Sequence, residues 1–288
     1  MQSSVQLVSG PLRCELCAAL GASVAGLWHD DVPVLRSTAS GQSTDVRQSG
    51  CYPLVPYSNR IADALLSWHG ALHPLARNFA PEPHAIHGVG WQRPWELREA
   101  GASFARMALE HRPDAHWPFA FSCEQAFRLT PGALEVTLRA TNRAEHAAPI
   151  GLGWHPFFVK RPGSQIRFAA TGRWEMGADK LPTVRRDDAG LAQCCDRLDV
   201  DHCFDGWDGI VELRDAQMAL RLHANLDRLV VYTNARQDFI AIEPVSHVNN
   251  ALTMARGDAR RLAELGVRCL QPGESWSARM RIETGSTP

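Results

Sequence analysis

Glu243 closes the apolar run Phe239-Ile240-Ala241-Ile242 and is followed at once by Pro244. A carboxylate at a strand end, with a proline stiffening the exit, can project into a cleft with little freedom. Partial burial there raises its basicity toward the range useful for proton abstraction. An ordinary surface glutamate at a strand terminus has the same local sequence. His155 lies between Trp154 and Pro156 in Gly151-Leu152-Gly153-Trp154-His155-Pro156-Phe157-Phe158. Packing of that kind fixes the ring, and imidazole is the side chain best matched to proton transfer near neutrality. A buried histidine bonded to backbone fits the same surroundings.

Other chemistries find little support. His84 and His87 have HxxH spacing and His69 and His73 HxxxH spacing, but two histidines without a third ligand make a weak metal site. No HExxH, GxSxG, GxGxxG or P-loop pattern occurs, which removes the usual zinc protease, hydrolase and nucleotide signatures. Cys14 and Cys17 have CxxC spacing and Cys194 and Cys195 are adjacent, with neither a second matched pair nor a βαβ setting. Cys17, Cys51, Cys123 and Cys269 sit among apolar neighbours and read as small buried hydrophobes. Reduced thiols, no metal and no cofactor are expected. Thirty basic residues offset thirty-one acidic ones without a basic stripe, which argues against nucleic acid and anionic membrane as partners. The first residues lack a signal-peptide layout, and no apolar run reaches the ~18 residues of a membrane span. A cytoplasmic protein, monomer or homodimer, is expected.

The elements that must position these groups are strands. Phe119, Phe121, Cys123, Phe127 and Leu129 fall on one face, with Gln125 the one break in the alternation. Thr130-Pro131-Gly132 supplies a turn, and Leu134, Val136, Leu138 and Ala140 resume the pattern as a hairpin partner. Val211–Leu213 pairs naturally with Met218–Leu222, while 229–232 and 239–242 are short apolar strands. Pro272-Gly273 places the residues a type II turn wants ahead of a closing strand over 277–282. The best helix signal is 258–265, with Asp258 as N-cap and Gly266 as stop. Many short strands punctuated by Gly and Pro predict an all-β sandwich or barrel, read as one domain over 1–288.

Six segments, in order, resemble the motifs of the aldose 1-epimerase (galactose mutarotase) family. They are Pro56-Tyr57-Ser58-Asn59-Arg60-Ile61, His87-Gly88, Trp154-His155-Pro156-Phe157-Phe158, Asp201-His202-Cys203-Phe204, Ile242-Glu243-Pro244 and Leu270-Gln271-Pro272-Gly273-Glu274. Val89 stands where many members carry a second glycine, and Asp199 lies two residues before Asp201, on the same side of a strand. The spacing to Phe204 favours Asp201.

The resemblance implies a large antiparallel β-sandwich, the galactose mutarotase-like supersandwich, with a few short helical turns. It also implies a small-molecule sugar substrate. Glu243 would take the proton of the anomeric hydroxyl as general base, and His155 would protonate the ring oxygen as general acid. Asn59, Arg60, His87 and Asp201 would bind and orient the sugar hydroxyls, with His87 also placed to polarise the ring oxygen. Trp91, Trp95, Trp117 and Trp154 lie near these segments, and one is a candidate to stack on the sugar, though core packing is the commoner role. Arg60 and Asp201 could instead form a structural ion pair. Two other functions are compatible with the same scaffold. One is a non-catalytic carbohydrate-binding or sensor protein. The other is a hexose-6-phosphate 1-epimerase using Arg77, Arg93 or Arg98 at the pocket rim.

Overall fold

The computed structural model describes residues 4–38 and 45–285. Its main features are two large antiparallel sheets. The first has nine strands in the order Glu96–Ala100, Phe104–His111, Phe121–Thr130, Ala133–Asn142, Ser275–Gly285, Ala219–Ala224, Ile210–Arg214, Gln165–Ala169 and Gly190–Cys194. The second has eight. Seven run in the order Pro182–Asp187, Gly172–Met176, Val200–Asp205, Arg228–Thr233, Phe239–Val245, Gly153–Trp154 and Pro53–Leu54, and Phe157–Val159 adds to Phe239–Val245. A four-stranded meander over residues 4–33 precedes them.

The periodicity explains the nine-stranded sheet directly. Phe121–Thr130 pairs with Ala133–Asn142 through the Pro131-Gly132 turn, with Thr130 opposite Ala133. Leu129, Leu134, Ile282, Leu222 and Val211 form one apolar row across five strands, because opposed residues share a face. Glu124 and Arg128 lie on the exposed face of the same strand. Phe119 stands outside the strand and packs edge-on against Trp117. The turn before the closing strand is of type II, since Gly273 has φ 77° and Glu274 N donates to Gln271 O.

The two inner faces meet in one apolar cluster. Phe168 of the nine-stranded sheet meets Phe204 of the other edge-on, ring centres 4.8 Å apart. Gln125, the break in the alternation, is 1% exposed and ties the layers together. Its Oε1 accepts from Trp154 Nε1 at 2.9 Å, and its Nε2 donates to Ala22 O at 2.8 Å. A polar group inside a core persists when both its ends are bonded.

Helix is scarce. Ala259–Glu264 has Asp258 as N-cap, its carboxylate accepting from Arg261 N, and ends before Gly266 at φ 89°. A shorter helix, Ala251–Ala255, has no sequence signal because its N-cap, Asn250, is left-handed and makes no side-chain cap bond. Among the described residues no helix is long and apolar enough to cross a membrane. Cys17, Cys51 and Cys123 are buried as expected, whereas Cys269 is only half-buried.

Candidate active site

The central strands of the eight-stranded sheet carry the polar groups on the face turned away from the core. Asp201 lies opposite Tyr232, and one row along, Cys203, Val230 and Glu243 line up across three strands. Strand side chains alternate, so Asp201, Tyr232, Val230 and Glu243 emerge on the same side. Phe204, Leu229, Val231 and Ile242 point to the other side and are fully buried. A cavity of about 320 Å³ opens over the polar face. That is at the lower end of the roughly 300–1,000 Å³ usual for small-molecule sites.

Backbone bonds bring the remaining segments over this face. His155 N donates to Tyr52 O, Phe157 N to Gly50 O and Ile242 N to Pro156 O, so the His155 turn is pinned between two neighbours. The segment after Glu243 clamps the chain around the strand Arg60–Ile61. His247 Nε2 accepts from Ser58 N at 3.0 Å, and Asn250 Oδ1 accepts from Ala62 N at 3.0 Å. Gly88 has φ 69°, and a Cβ there would meet Val55 O at 2.3 Å, so glycine is required for the loop that carries His87. Val89, at the position where the motif varies, donates its N–H to Val55 O and leaves that loop closed.

His155 Nε2 lies 3.2 Å from Glu243 Oε1. Glu243 is 3% exposed, and its Oε2 has no hydrogen-bond partner among the described residues. Burial pushes the Glu243 carboxyl well above the usual carboxylate range. The Asp201 carboxylate raises it further, and Arg60 opposes the shift. Burial lowers His155 to about 3, with the Arg36 guanidinium adding to the effect. Both groups are therefore driven toward their neutral forms, and a single proton in the pair rests on the carboxyl.

His87 is buried and held well below the normal imidazole range, first by burial and then by His155 and Arg60. Its Nδ1 accepts from Asn59 N at 3.1 Å, which assigns the proton to Nε2. The His87 and His155 rings meet edge-on with centres 5.4 Å apart. Asp201 also lines the cavity with a raised pKa, burial being the main cause. Asp199 is exposed and does not line the cavity.

Arg60 does not pair with Asp201. Its Nε and Nη2 form a fork on Glu82, at 3.2 and 3.0 Å to Oε2 and Oε1. Arg60 N also donates to Asn59 Oδ1 at 3.0 Å. Among the described residues no tryptophan lines the cavity: Trp91, Trp95, Trp117 and Trp154 are all core residues. The aromatic walls are Tyr52, Phe79, Phe157 and Tyr232, with Phe157 stacked on His155 at 4.3 Å. Trp91 stands behind Tyr52 and His87 as support. Arg77, Arg93 and Arg98 lie outside the lining, and Arg93 and Arg98 are paired with Asp114 and Glu96.

The chain matches the aldose 1-epimerase family over residues 12–283. It belongs to that family. The Escherichia coli K12 protein YphB, described as uncharacterized, is 28% identical over 91% of this chain and 92% of its own length. Among solved structures, an aldose 1-epimerase-like protein of E. coli K12 superposes with a TM-score of 0.89 at 24% identity, covering 100% of both chains. A galactose 1-epimerase from Lactobacillus acidophilus superposes with a TM-score of 0.80 at 14% identity, covering 99% of this chain and 95% of that one. At these identities the two structures share the fold with this chain.

All six residues singled out in the sequence of this epimerase-family chain, Asn59, Arg60, His87, His155, Asp201 and Glu243, line the one cavity. Sequence reasoning missed Tyr52, Phe79, Glu82, Lys180 and Tyr232. Glu82 and Lys180 sit in connecting segments without pattern, and nothing in one sequence marks them. The HxxH pair divides: His87 faces the cavity, whereas His84 Nδ1 accepts from Asp63 N and its Nε2 meets Asp179 O. His69 and His73 pack against Trp68 and Phe119 respectively.

Proposed function

We propose that this protein is an aldose 1-epimerase that interconverts the α and β anomers of a free hexose such as galactose or glucose. The observation that carries the reading is the 3.2 Å contact between His155 Nε2 and Glu243 Oε1 within the cavity. Mutarotation requires one proton to leave O1 while another reaches the ring oxygen O5. Those two oxygens share carbon C1, so the proton acceptor and donor must themselves be neighbours.

The pair works with one proton. Burial alone favours that proton on Glu243. Sugar hydroxyls donating to the carboxylate favour its ionised form, and the proton passes to His155. Glu243 then accepts the proton of O1 while His155 gives its own to O5, and the C1–O5 bond breaks to give the open aldehyde. Rotation about C1–C2 and reversal of both transfers close the ring on the other carbonyl face. Each positioned group contributes about 10²–10⁴-fold, which suffices for a reaction that already proceeds slowly in water.

Asp201 would accept from hydroxyls, while Arg60, His87 Nε2 and Asn59 Nδ2 would donate. Tyr52, Phe157 or Tyr232 would cover an apolar ring face. A free sugar fits the charges better than a phosphate. Arg60 and Lys180 share Glu82, and Arg47 pairs with Asp45, so each cation lining the cavity has a carboxylate partner.

Polarimetry on freshly dissolved α-galactose and α-glucose, with their 6-phosphates alongside, tests the reading. The free sugars should equilibrate faster than in buffer, and Glu243→Gln should return them to the buffer rate. Calorimetric sugar binding with no gain in anomer exchange would make the protein a sugar binder instead.

A further inference from the structure

Glu82 is a carboxylate lining this site that has no part in the proton transfer or the hydroxyl contacts assigned above. It lies in the segment between Phe79 and His87, which has no regular structure up to Ala85, and its side chain is 11% exposed. Both of its oxygens are engaged. Oε2 accepts from Arg60 Nε at 3.2 Å, and Oε1 accepts from Arg60 Nη2 at 3.0 Å and from Lys180 Nζ at 3.2 Å. Two cations hold the Glu82 carboxyl down to about 2, the Arg60 hydrogen bonds being the larger cause.

The guanidinium is planar and presents its donors in a fixed fork. Glu82 occupies the side fork made of Nε and Nη2. Asn59 Oδ1 takes a long bond of 3.4 Å from Nη1. The outward N–H groups of Nη1 and Nη2 remain for a ligand, and the carboxylate fixes the plane in which they lie. Lys180 adds a second constraint. It sits at the tip of the hairpin between Gly172–Met176 and Pro182–Asp187, with φ 59°. The same tip is tied to the Glu82 segment a second time, by Asp179 O against His84 Nε2 at 3.3 Å.

We infer that Glu82 is a positioning residue for sugar binding: it orients the Arg60 donor fork, anchors that fork to the Lys180 hairpin, and offsets the cationic charge at the cavity. The inference rests on a sugar occupying the proposed site. It predicts a particular kinetic division. An interaction that preorganises binding equally for ground and transition states changes KM and leaves kcat alone. Removing the charge also leaves Arg60 and Lys180 without the carboxylate they bond, so an anion should gain a place beside them.

The experiment is steady-state polarimetry on wild type, Glu82→Gln and Lys180→Met, with inorganic phosphate as the anionic probe. Glu82→Gln is expected to raise KM about tenfold with kcat within about twofold, and to show phosphate inhibition at concentrations that leave wild type unaffected. Lys180→Met, altering an exposed side chain, should raise KM by about two- to threefold. It carries the test on its own if Glu82→Gln does not fold. Unchanged KM in the folded variants, or a fall in kcat without a change in KM, would overturn the role of Glu82. Absence of mutarotation in wild type would instead remove the proposed function, so the two failures are distinct.

Discussion

The two sheets of this sandwich are built on opposite rules. In the nine-stranded sheet, Phe104–His111 and Phe121–Thr130 alternate between buried and open positions, with Arg106, Glu110, Glu124 and Arg128 turned outward. In the eight-stranded sheet, six of the seven residues of Phe239–Val245 are buried, so both faces are covered. One face meets the core. The other lies beneath the His155 turn, the Asn59-Arg60 segment and the Phe79–His87 segment, and there the chain buries Glu243 and two imidazoles and half-buries Asp201. An alternating sheet stores its stability in apolar rows. A sheet covered on both sides can hold a carboxyl away from water, at a cost in stability, and shift its proton affinity.

The sharpest way to break this contrast is to change one residue on each side of it. Glu243→Gln should lower kcat by about 10²–10⁴-fold. Its melting temperature should stay level or rise, because the native site holds a buried carboxyl oxygen without a partner. Polarimetry and thermal melting on one sample read both, and a large loss of Tm would show that Glu243 is needed for folding.

The pH profile sharpens the comparison further. The one-proton state of the pair exists between the lowered pKa of His155, about 3, and the raised pKa of Glu243. Below the lower limit both groups are protonated and the base is lost. Above the upper limit both are deprotonated and the acid is lost. These limits belong to the coupled pair. kcat/KM should therefore hold through the acid region where a normal histidine would titrate, then fall about tenfold per pH unit on an alkaline limb above the ordinary carboxylate range. A single acid limb near the usual histidine pKa would contradict it.

On the other side of the contrast, Leu138→Ala opens a hole in a fully buried row and should cost about 2–5 kcal/mol of stability. Folded molecules should keep the wild-type kcat. Denaturant unfolding and polarimetry at low temperature would check both. The smallest effect is expected at the joint between the sheets. Gln125→Leu leaves Trp154 Nε1 and Ala22 O without their partner, at about 1–3 kcal/mol. It should lower kcat only a few-fold, through looser support of His155. Unchanged stability there would mean that water replaces the amide.

Most of the strand pattern was legible in the sequence because alternation is a local property. The hairpin at Pro131-Gly132, the type II turn at Pro272-Gly273 and the capped helix after Asp258 all stand as read. The site was legible to a different depth. Glu243 and His155 each had an ordinary local explanation, and only the ordered set of six segments raised them above it. The alternative Arg60–Asp201 ion pair and the tryptophan candidates for stacking could not be decided by spacing; the structure pairs Arg60 with Glu82, keeps those tryptophans in the core and walls the cavity with tyrosine and phenylalanine. The Gln125 break was visible, but its partner Trp154 lies on the other sheet.

The sequence by itself determined the strand class, the turns and the chemical kinds of group present, because these depend on neighbours along the chain. Tertiary structure alone decided which carboxylate meets which cation, where the shared proton rests, and which rings face the cavity. Those outcomes depend on burial and on contacts between segments far apart in the chain, and no local pattern encodes either.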